Sequence, residues 1–262
     1  MRQFIISLEA NNEAVKRSEV SGQDLYRAVF SHLQRVDAVE TAVLRNSQGM
    51  RPFTLFPLYN RERELAGLRL HAFNKETIQL FDKAWRTKDD RERAELEIAE
   101  KSLKVADISI RSSPRFADLI NQPPAKTVTL HFLTATAFHV HKGDLLLPVP
   151  RNIFARPFQV WQEFAPQMLA LPRDWLDWCE ENVLVTRHRI RTVRAAIDEQ
   201  NWQAGFVGLV SFRAFDGEAQ ETELYRRVFQ ALGRFAAYSG VGRKTTMGMG
   251  HCDFRRSIPK PK

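Results

Sequence analysis

At 262 residues, 44% hydrophobic and 27% charged, the chain has the composition of a globular protein with one large domain or two small ones. No apolar run approaches the roughly 18 residues of a membrane span. Two cysteines, Cys179 and Cys252, exclude a disulfide framework and offer no zinc-ligand spacing. The formal net charge is +8 and unevenly spread. Residues 1–120 carry 20 basic and 18 acidic side chains, while residues 121–262 carry 19 and 13. The excess, which suggests a polyanionic partner, therefore lies in the second half.

In chain order, Phe4-Ile5-Ile6-Ser7-Leu8 reads as an opening strand. The N-terminus turns polar too quickly for a signal peptide, so a cytoplasmic location is expected. Ser21-Gly22 then caps a helix with Leu25, Val29, His32 and Val36 at helical spacing. Arg51–Leu58 (RPFTLFPL) is extended between prolines, and Leu68–Phe73 (LRLHAF) alternates as a strand. Asn74 caps a second helix carrying Ile78, Leu80, Phe81 and Trp85. The charged run Lys88–Lys101 reads as a solvated helix or loop, and Lys104–Ile110 as a further strand. This is a β-α-β-β-α-β order.

Asn121-Gln122-Pro123-Pro124-Ala125 marks a linker, because paired prolines interrupt both helix and ladder. Beyond it come a strand at Thr127–Thr134, a helix with Ile153, Phe154, Phe158, Val160, Trp161 and Phe164, and a β run at Phe206–Phe212. A helix over Glu223–Ala237, a glycine-rich loop and a final His251–Phe254 strand complete the unit. The expected fold is α+β, two tandem ferredoxin-like domains over 1–121 and 126–262. His139-Val140-His141 is the one close histidine pair; on an alternating strand both rings share a face, but no third metal ligand stands beside them.

The most informative stretch is Tyr238–Gly250 (YSGVGRKTTMGMG). Glycine lets backbone approach a ligand closely, exposed N–H groups form concave anion sites, and Arg243, Lys244, Thr245 and Thr246 add charge and hydroxyls. A phosphate-bearing ligand is expected. The stretch is not a P-loop, for Lys244-Thr245 lacks the upstream glycine at the required spacing. Nor is it a dinucleotide fingerprint: a helical pattern precedes Gly240-Val241-Gly242, and only 12 residues follow Gly250.

The ending Leu224–Phe254 resembles the C-terminal part of the CRISPR-associated repeat-RNA endoribonucleases, the sixth Cas family. Leu130–Phe138 (LHFLTATAF), Leu147–Phe164 (LPVPRNIFARPFQVWQEF), Gly205–Phe212 (GFVGLVSF) and Arg51–Leu58 are each similar to family blocks, in family order. The resemblance implies tandem ferredoxin-like domains of the RAMP superfamily. It implies cleavage of CRISPR precursor RNA within each repeat by 2′-hydroxyl attack, with no metal and no cofactor. Implied partners are the precursor and mature guide RNA, other Cas effector subunits, and a second copy in a homodimer, with no membrane. A non-catalytic RAMP subunit holding guide RNA is the competing reading, since fold does not separate the two.

Such chemistry needs a base at the 2′-oxygen, an acid at the leaving 5′-oxygen and cations beside the phosphorane. In the family a histidine often lies on the first helix or just after it. Ala42–Gly49 contains none, and Arg45 stands near where one is often found. His32 becomes the candidate base, although it shares an apolar stripe with Leu25, Val29 and Val36. Tyr26 is the candidate proton donor, Arg27 a phosphate clamp, Ser31 a hydrogen-bond partner and Arg45 a phosphorane stabiliser. The resemblance further implies that Gly240, Gly242, Gly248 and Gly250 let Arg243, Lys244, Thr245 and Thr246 line an RNA path between the halves. Arg151 and Arg156 are expected to grip the repeat, as are Arg187, Arg189, Arg191 and Arg194; Trp202 and Tyr238 are candidate stacking residues.

Overall fold

The computed structural model describes residues 1–86, 95–215 and 222–255, and they fall into two compact units. The first comprises Met1–Ser113 with Ala196–Trp202 and Thr246–Gly248; the second comprises Pro114–Ala195, Gln203–Thr245 and the chain from Met249 on.

The first unit runs β1 (Arg2–Ala10), α1 (Gly22–Val36), α2 (Ala38–Asn46), β2 (Phe53–Tyr59), β3 (Leu65–Ala72), α3 (Lys75–Trp85), β4 (Glu95–Ile98) and β5 (Lys101–Ser112). Its antiparallel sheet has the order β2-β3-β1-β5-β4. With β4 set aside, this is the strand order of a ferredoxin-like domain. Alternation along β1 buries Phe4, Ile6 and Leu8, and they pack into one core with Leu25, Val29, Phe30 and Leu33 of α1 and Phe81 and Trp85 of α3. A capping box fixes where α1 begins. The Ser21 hydroxyl accepts from Asp24 N at 3.1 Å, and the Asp24 carboxylate accepts from Ser21 N at 3.1 Å.

The run expected as a solvated helix or loop at Lys88–Lys101 is corrected where it is described. Glu95–Ile98 is a strand paired with β5, because Leu96 and Ile98 are buried while Glu95 and Glu97 are exposed. Residues 88–94 lie outside the described set. The sequence pattern also missed α2, whose Val39 and Val43 are 73% and 61% exposed while Thr41 and Leu44 are buried. Its apolar residues do not mark its inner face.

The second unit runs α4 (Phe116–Ile120), β6 (Thr127–Thr136), β7 (Phe138–Val140), β8 (Gly143–Leu145), α5 (Pro150–Phe164), α6 (Trp175–Asn182), β9 (Val183–Ala196), β10 (Trp202–Ala214), α7 (Thr222–Ser239) and β11 (Cys252–Arg255). Its larger sheet has the order β11-β6-β10-β9, again ferredoxin-like, and β7 and β8 form a separate hairpin. Phe154 and Trp161 of α5 pack on Phe212, Phe229 and Phe235, and the ring of Phe116 meets Trp161 edge-on at 4.9 Å. His141 has φ of +52° and stands in the β7–β8 turn, so the strand alternation expected to align it with His139 stops at Val140. No described helix is long and apolar enough to cross a membrane.

The glycine-rich loop joins α7 to β11 and is laced by backbone hydrogen bonds. Val241 N donates to Gly250 O at 2.9 Å, Gly250 N to Ala135 O at 3.0 Å and Arg243 N to Ala137 O at 3.1 Å. Gly242 and Gly250 have φ of +74° and +72°, and a Cβ on either would lie 2.3 Å from Ala137 O or 2.1 Å from Val241 O. Both left-handed backbone and steric approach demand glycine there. The three residues grouped with the first unit seat on α1 and β2: Gly248 N donates to Leu55 O at 3.1 Å, and Met247 O lies 2.6 Å from where a Gly22 Cβ would be.

Gly250→Ala is expected to cost about 2 kcal/mol or more, from strain plus clash. Gly143→Ala, with nothing within 4 Å of the added carbon and no positive φ, should stay within about 0.5 kcal/mol of wild type. Urea denaturation of the two variants measures both; equal stabilities would contradict this description of the loop.

Candidate functional site

A tyrosine and a phenylalanine of α1, an arginine of α2 and another from the connection before β2 gather together. Tyr26 and Phe30, four residues apart on α1, stack at 4.2 Å with 19° between their planes. The Arg45 guanidinium lies 5.5 Å from the Phe30 ring centre and donates from Nη2 to Gln34 Oε1 at 3.2 Å. Arg45 is exposed, Phe30 buried and Tyr26 half-buried. Arg51 ties the end of α2 in place, with Nη1 donating to Leu44 O, Arg45 O and Ser47 Oγ at 2.8, 2.9 and 2.9 Å. Burial raises the Tyr26 phenol above its ordinary pKa, against the opposing pull of Arg51 and Arg45. The phenol therefore keeps its proton throughout the neutral range.

Of the catalytic candidates named from sequence, Tyr26 and Arg45 meet in this cluster. Arg27 and Ser31 are exposed one helical turn apart on α1, and Arg27 lies 3.9 Å from Asp24. His32 is placed elsewhere. It is 6% exposed, stacks on Trp85 at 4.3 Å, and its Nε2 lies 3.0 Å from Ala84 O. A carbonyl only accepts, so Nε2 carries the hydrogen and the ring is fastened to the end of α3. Burial lowers its pKa, outweighing the upward effect of that hydrogen bond. Phe30, Gln34 and Arg51 were missed from sequence; the signal available was the four-residue spacing Tyr26-Phe30-Gln34 along α1.

The basic residues of the second unit divide by whether a carboxylate already holds them. Arg243 Nη1 donates to Asp144 Oδ1 at 2.6 Å, and Asp144 also accepts from Gln203 Nε2 at 2.7 Å. Arg151 lies 2.7 Å from Asp177 and 3.0 Å from Glu180. Arg156 donates from Nε to Ser239 O at 3.0 Å, and burial pushes its pKa down to about 10. Thr245 is 2% exposed, whereas Lys244, with φ of +56°, and Thr246 are half-buried. Arg187, Arg189, Arg191 and Arg194 differ from these. All four are exposed on the edge strand β9, and among the described residues none forms an ion pair or side-chain hydrogen bond.

Comparison with known proteins bears on the second unit's sequence and on the fold. The family model "CRISPR-associated endoribonuclease Cas6" matches residues 130–252, which span β6 through the glycine-rich loop to the start of β11. A CRISPR-associated endoribonuclease Cas6 of Streptococcus thermophilus is 25% identical over 150 residues, 57% of this chain and 59% of that relative's length. A Cas6 product complex superposes with a TM-score of 0.77 at 23% identity, covering 97% of this chain and 100% of the other. Thermus thermophilus Cas6 superposes at 0.71 and 20% identity, covering 97% and 98%. A RAMP protein described as binding different RNA substrates superposes at 0.61 and 13% identity, covering 98% and 100%. The structural matches are likenesses of fold. From β6 to the start of β11 the sequence matches the CRISPR-associated endoribonuclease Cas6 family model, and along nearly all its length the chain has the fold of the Cas6 structures it superposes on.

Proposed function

We propose that the protein is a metal-independent endoribonuclease that cuts CRISPR precursor RNA within its repeats, through attack of a 2′-hydroxyl on the adjacent phosphodiester. The observation that carries this reading is the tyrosine–arginine cluster on α1 and α2 in a chain that matches the Cas6 family model over 130–252. Tyr26 holds the proton that the leaving 5′-oxygen takes up. Arg45 stabilises the phosphorane as negative charge builds, and Arg51 positions it through the last turn of α2. Arg27 and Ser31 hold the neighbouring phosphate. His32 is a packing residue under Trp85, so the 2′-hydroxyl loses its proton to solvent hydroxide rather than to an imidazole.

Phosphates of the repeat are gripped by Arg187, Arg189, Arg191 and Arg194, whose charge no carboxylate among the described residues cancels. Arg243 and Lys244 assist where the RNA displaces Asp144. The reaction takes place in the cytoplasm, and the mature guide RNA stays bound for delivery to other Cas subunits. A second reading, a RAMP subunit that holds guide RNA without cutting it, is favoured by one observation: the connection after α1 carries Arg45 and no histidine.

Single-turnover cleavage at saturating enzyme tests the assignment. Tyr26→Phe and Arg45→Ala should each slow cleavage by about 10²-fold, while RNA affinity changes less than about threefold. The logarithm of the wild-type rate should rise steadily from pH 5.5 to 8.5, with no break near the imidazole pKa of about 6.5. A break there, removed in His32→Ala, would restore His32 as the general base.

Binding in titrated salt provides a separate check on the edge strand. Replacing Arg187, Arg189 and Arg191 together by alanine should lower the slope of log K against log salt by roughly 2, about 0.7 per lost single-strand phosphate contact. An unchanged slope would take β9 off the RNA.

A further inference from the structure

The second unit holds a concavity that RNA cleavage leaves unused. It is a cavity of about 370 Å³ walled by α4, α7 and β11. That is within the range of about 300–1,000 Å³ for small-molecule sites. Its lining combines aromatic rings from Tyr238 and Phe254, guanidinium groups from Arg234 and Arg255, and carboxylates from Asp118 and Asp253.

The charges are not equally available. Asp118 is matched by Arg115 at 3.0 Å, and Asp253 by Arg255 at 3.4 Å. Arg234 has no carboxylate partner among the described residues. Its guanidinium lies 4.7 Å from the Phe254 ring centre, and Gln230, with its amide turned to suit both groups, accepts from Nε at 2.9 Å and from Nη2 at 3.2 Å. A neutral amide and an aromatic face thus orient the fork without neutralising it. Tyr238 follows one turn later on α7, on the same side of the helix. An aromatic ring, an oriented cation without a carboxylate partner among the described residues, and two carboxylates in one lining match a planar heterocycle that carries amino donors and one anionic group.

The geometry points to a binding site for a single nucleotide unit: its base lies against Tyr238, its exocyclic amine donates to Asp118 or Asp253, and its phosphate sits on Arg234. The unit is either the terminal residue of an RNA or a free mononucleotide. The inference does not depend on cleavage.

Calorimetric titration of the full chain with AMP, GMP, CMP and UMP, and with the four nucleosides, tests it. At least one monophosphate should bind saturably, with its nucleoside about tenfold weaker or more, as expected for loss of a charge-assisted contact. Arg234→Gln should weaken the monophosphate by a similar factor and leave the nucleoside unchanged. Asp118→Asn is the second variant, and should change the preference among the four bases. Adding excess repeat RNA separates the sources: displacement of the mononucleotide assigns the site to an RNA end, and simultaneous binding assigns it to a free nucleotide. No saturable binding of any monophosphate, or equal binding by wild type and Arg234→Gln, would overturn the proposal. Neither result bears on the cleavage assignment, which is read on RNA alone.

Discussion

At Gly242 and Gly250 the loop after α7 comes so close to neighbouring backbone that an added Cβ would lie 2.3 Å from Ala137 O or 2.1 Å from Val241 O. Ala135 O and Ala137 O accept from Gly250 N and Arg243 N, and Gly250 O accepts from Val241 N. Buried amide groups must find partners, and these bonds supply them where the chain belongs to neither helix nor strand. The rest of the ending follows from them. The loop stops α7, starts β11 beside β6, and presents Arg243 and Lys244 on a backbone fixed by neighbours rather than free to wander. The matched family segment covers all of this stretch.

In the first unit stacking and burial shape the candidate site. Tyr26 and Phe30 stack because α1 places them one turn apart, and Arg45 lies over the buried Phe30 ring where Arg51 binds the carbonyls that end α2. Burial then keeps the phenol protonated while the guanidinium remains in water. A neutral acid beside an exposed cation suits a reaction that must protonate one oxygen while negative charge grows on others. His32, two residues beyond Phe30 and so on another side of the helix, is withdrawn from that surface by its stack on Trp85.

Much of this was legible in the sequence. The order βαββαβ of the first half, and most of its counterpart in the second, followed from period-2 and period-3.6 patterns whose buried positions are the apolar ones, as on β1 and α1; β9, rich in exposed arginines, was not read as a strand of the second sheet. The glycine-rich loop was legible because glycine spacing reports backbone conformation directly. Short elements were not. On α2, apolar Val39 and Val43 face water while Thr41 is buried, so hydrophobicity pointed away from the true inner face. The four residues of β4 alternate, but too briefly to outweigh the charged run before them. The candidate site was less legible. Arg45 was named from the family resemblance and Tyr26 as a helix-mate of His32, but no sequence rule shows that Arg45 lies over Phe30, or that Asp144 already holds Arg243. Pairing of charges is a tertiary property, and among the described residues it separates the arginines of β9, which have no carboxylate partner, from equally basic residues elsewhere.

The central claim is that this chain cuts RNA with its own side chains and the substrate's 2′-hydroxyl. The most direct measurement uses a repeat RNA from the source's own CRISPR array, incubated in EDTA beside a copy carrying one 2′-deoxy nucleotide upstream of the scissile bond. The account predicts that the first is cut to a 5′-hydroxyl and a cyclic phosphate, and that the second is bound with equal affinity but left whole. Tight binding of both without cleavage of either would contradict it and leave a subunit that holds guide RNA.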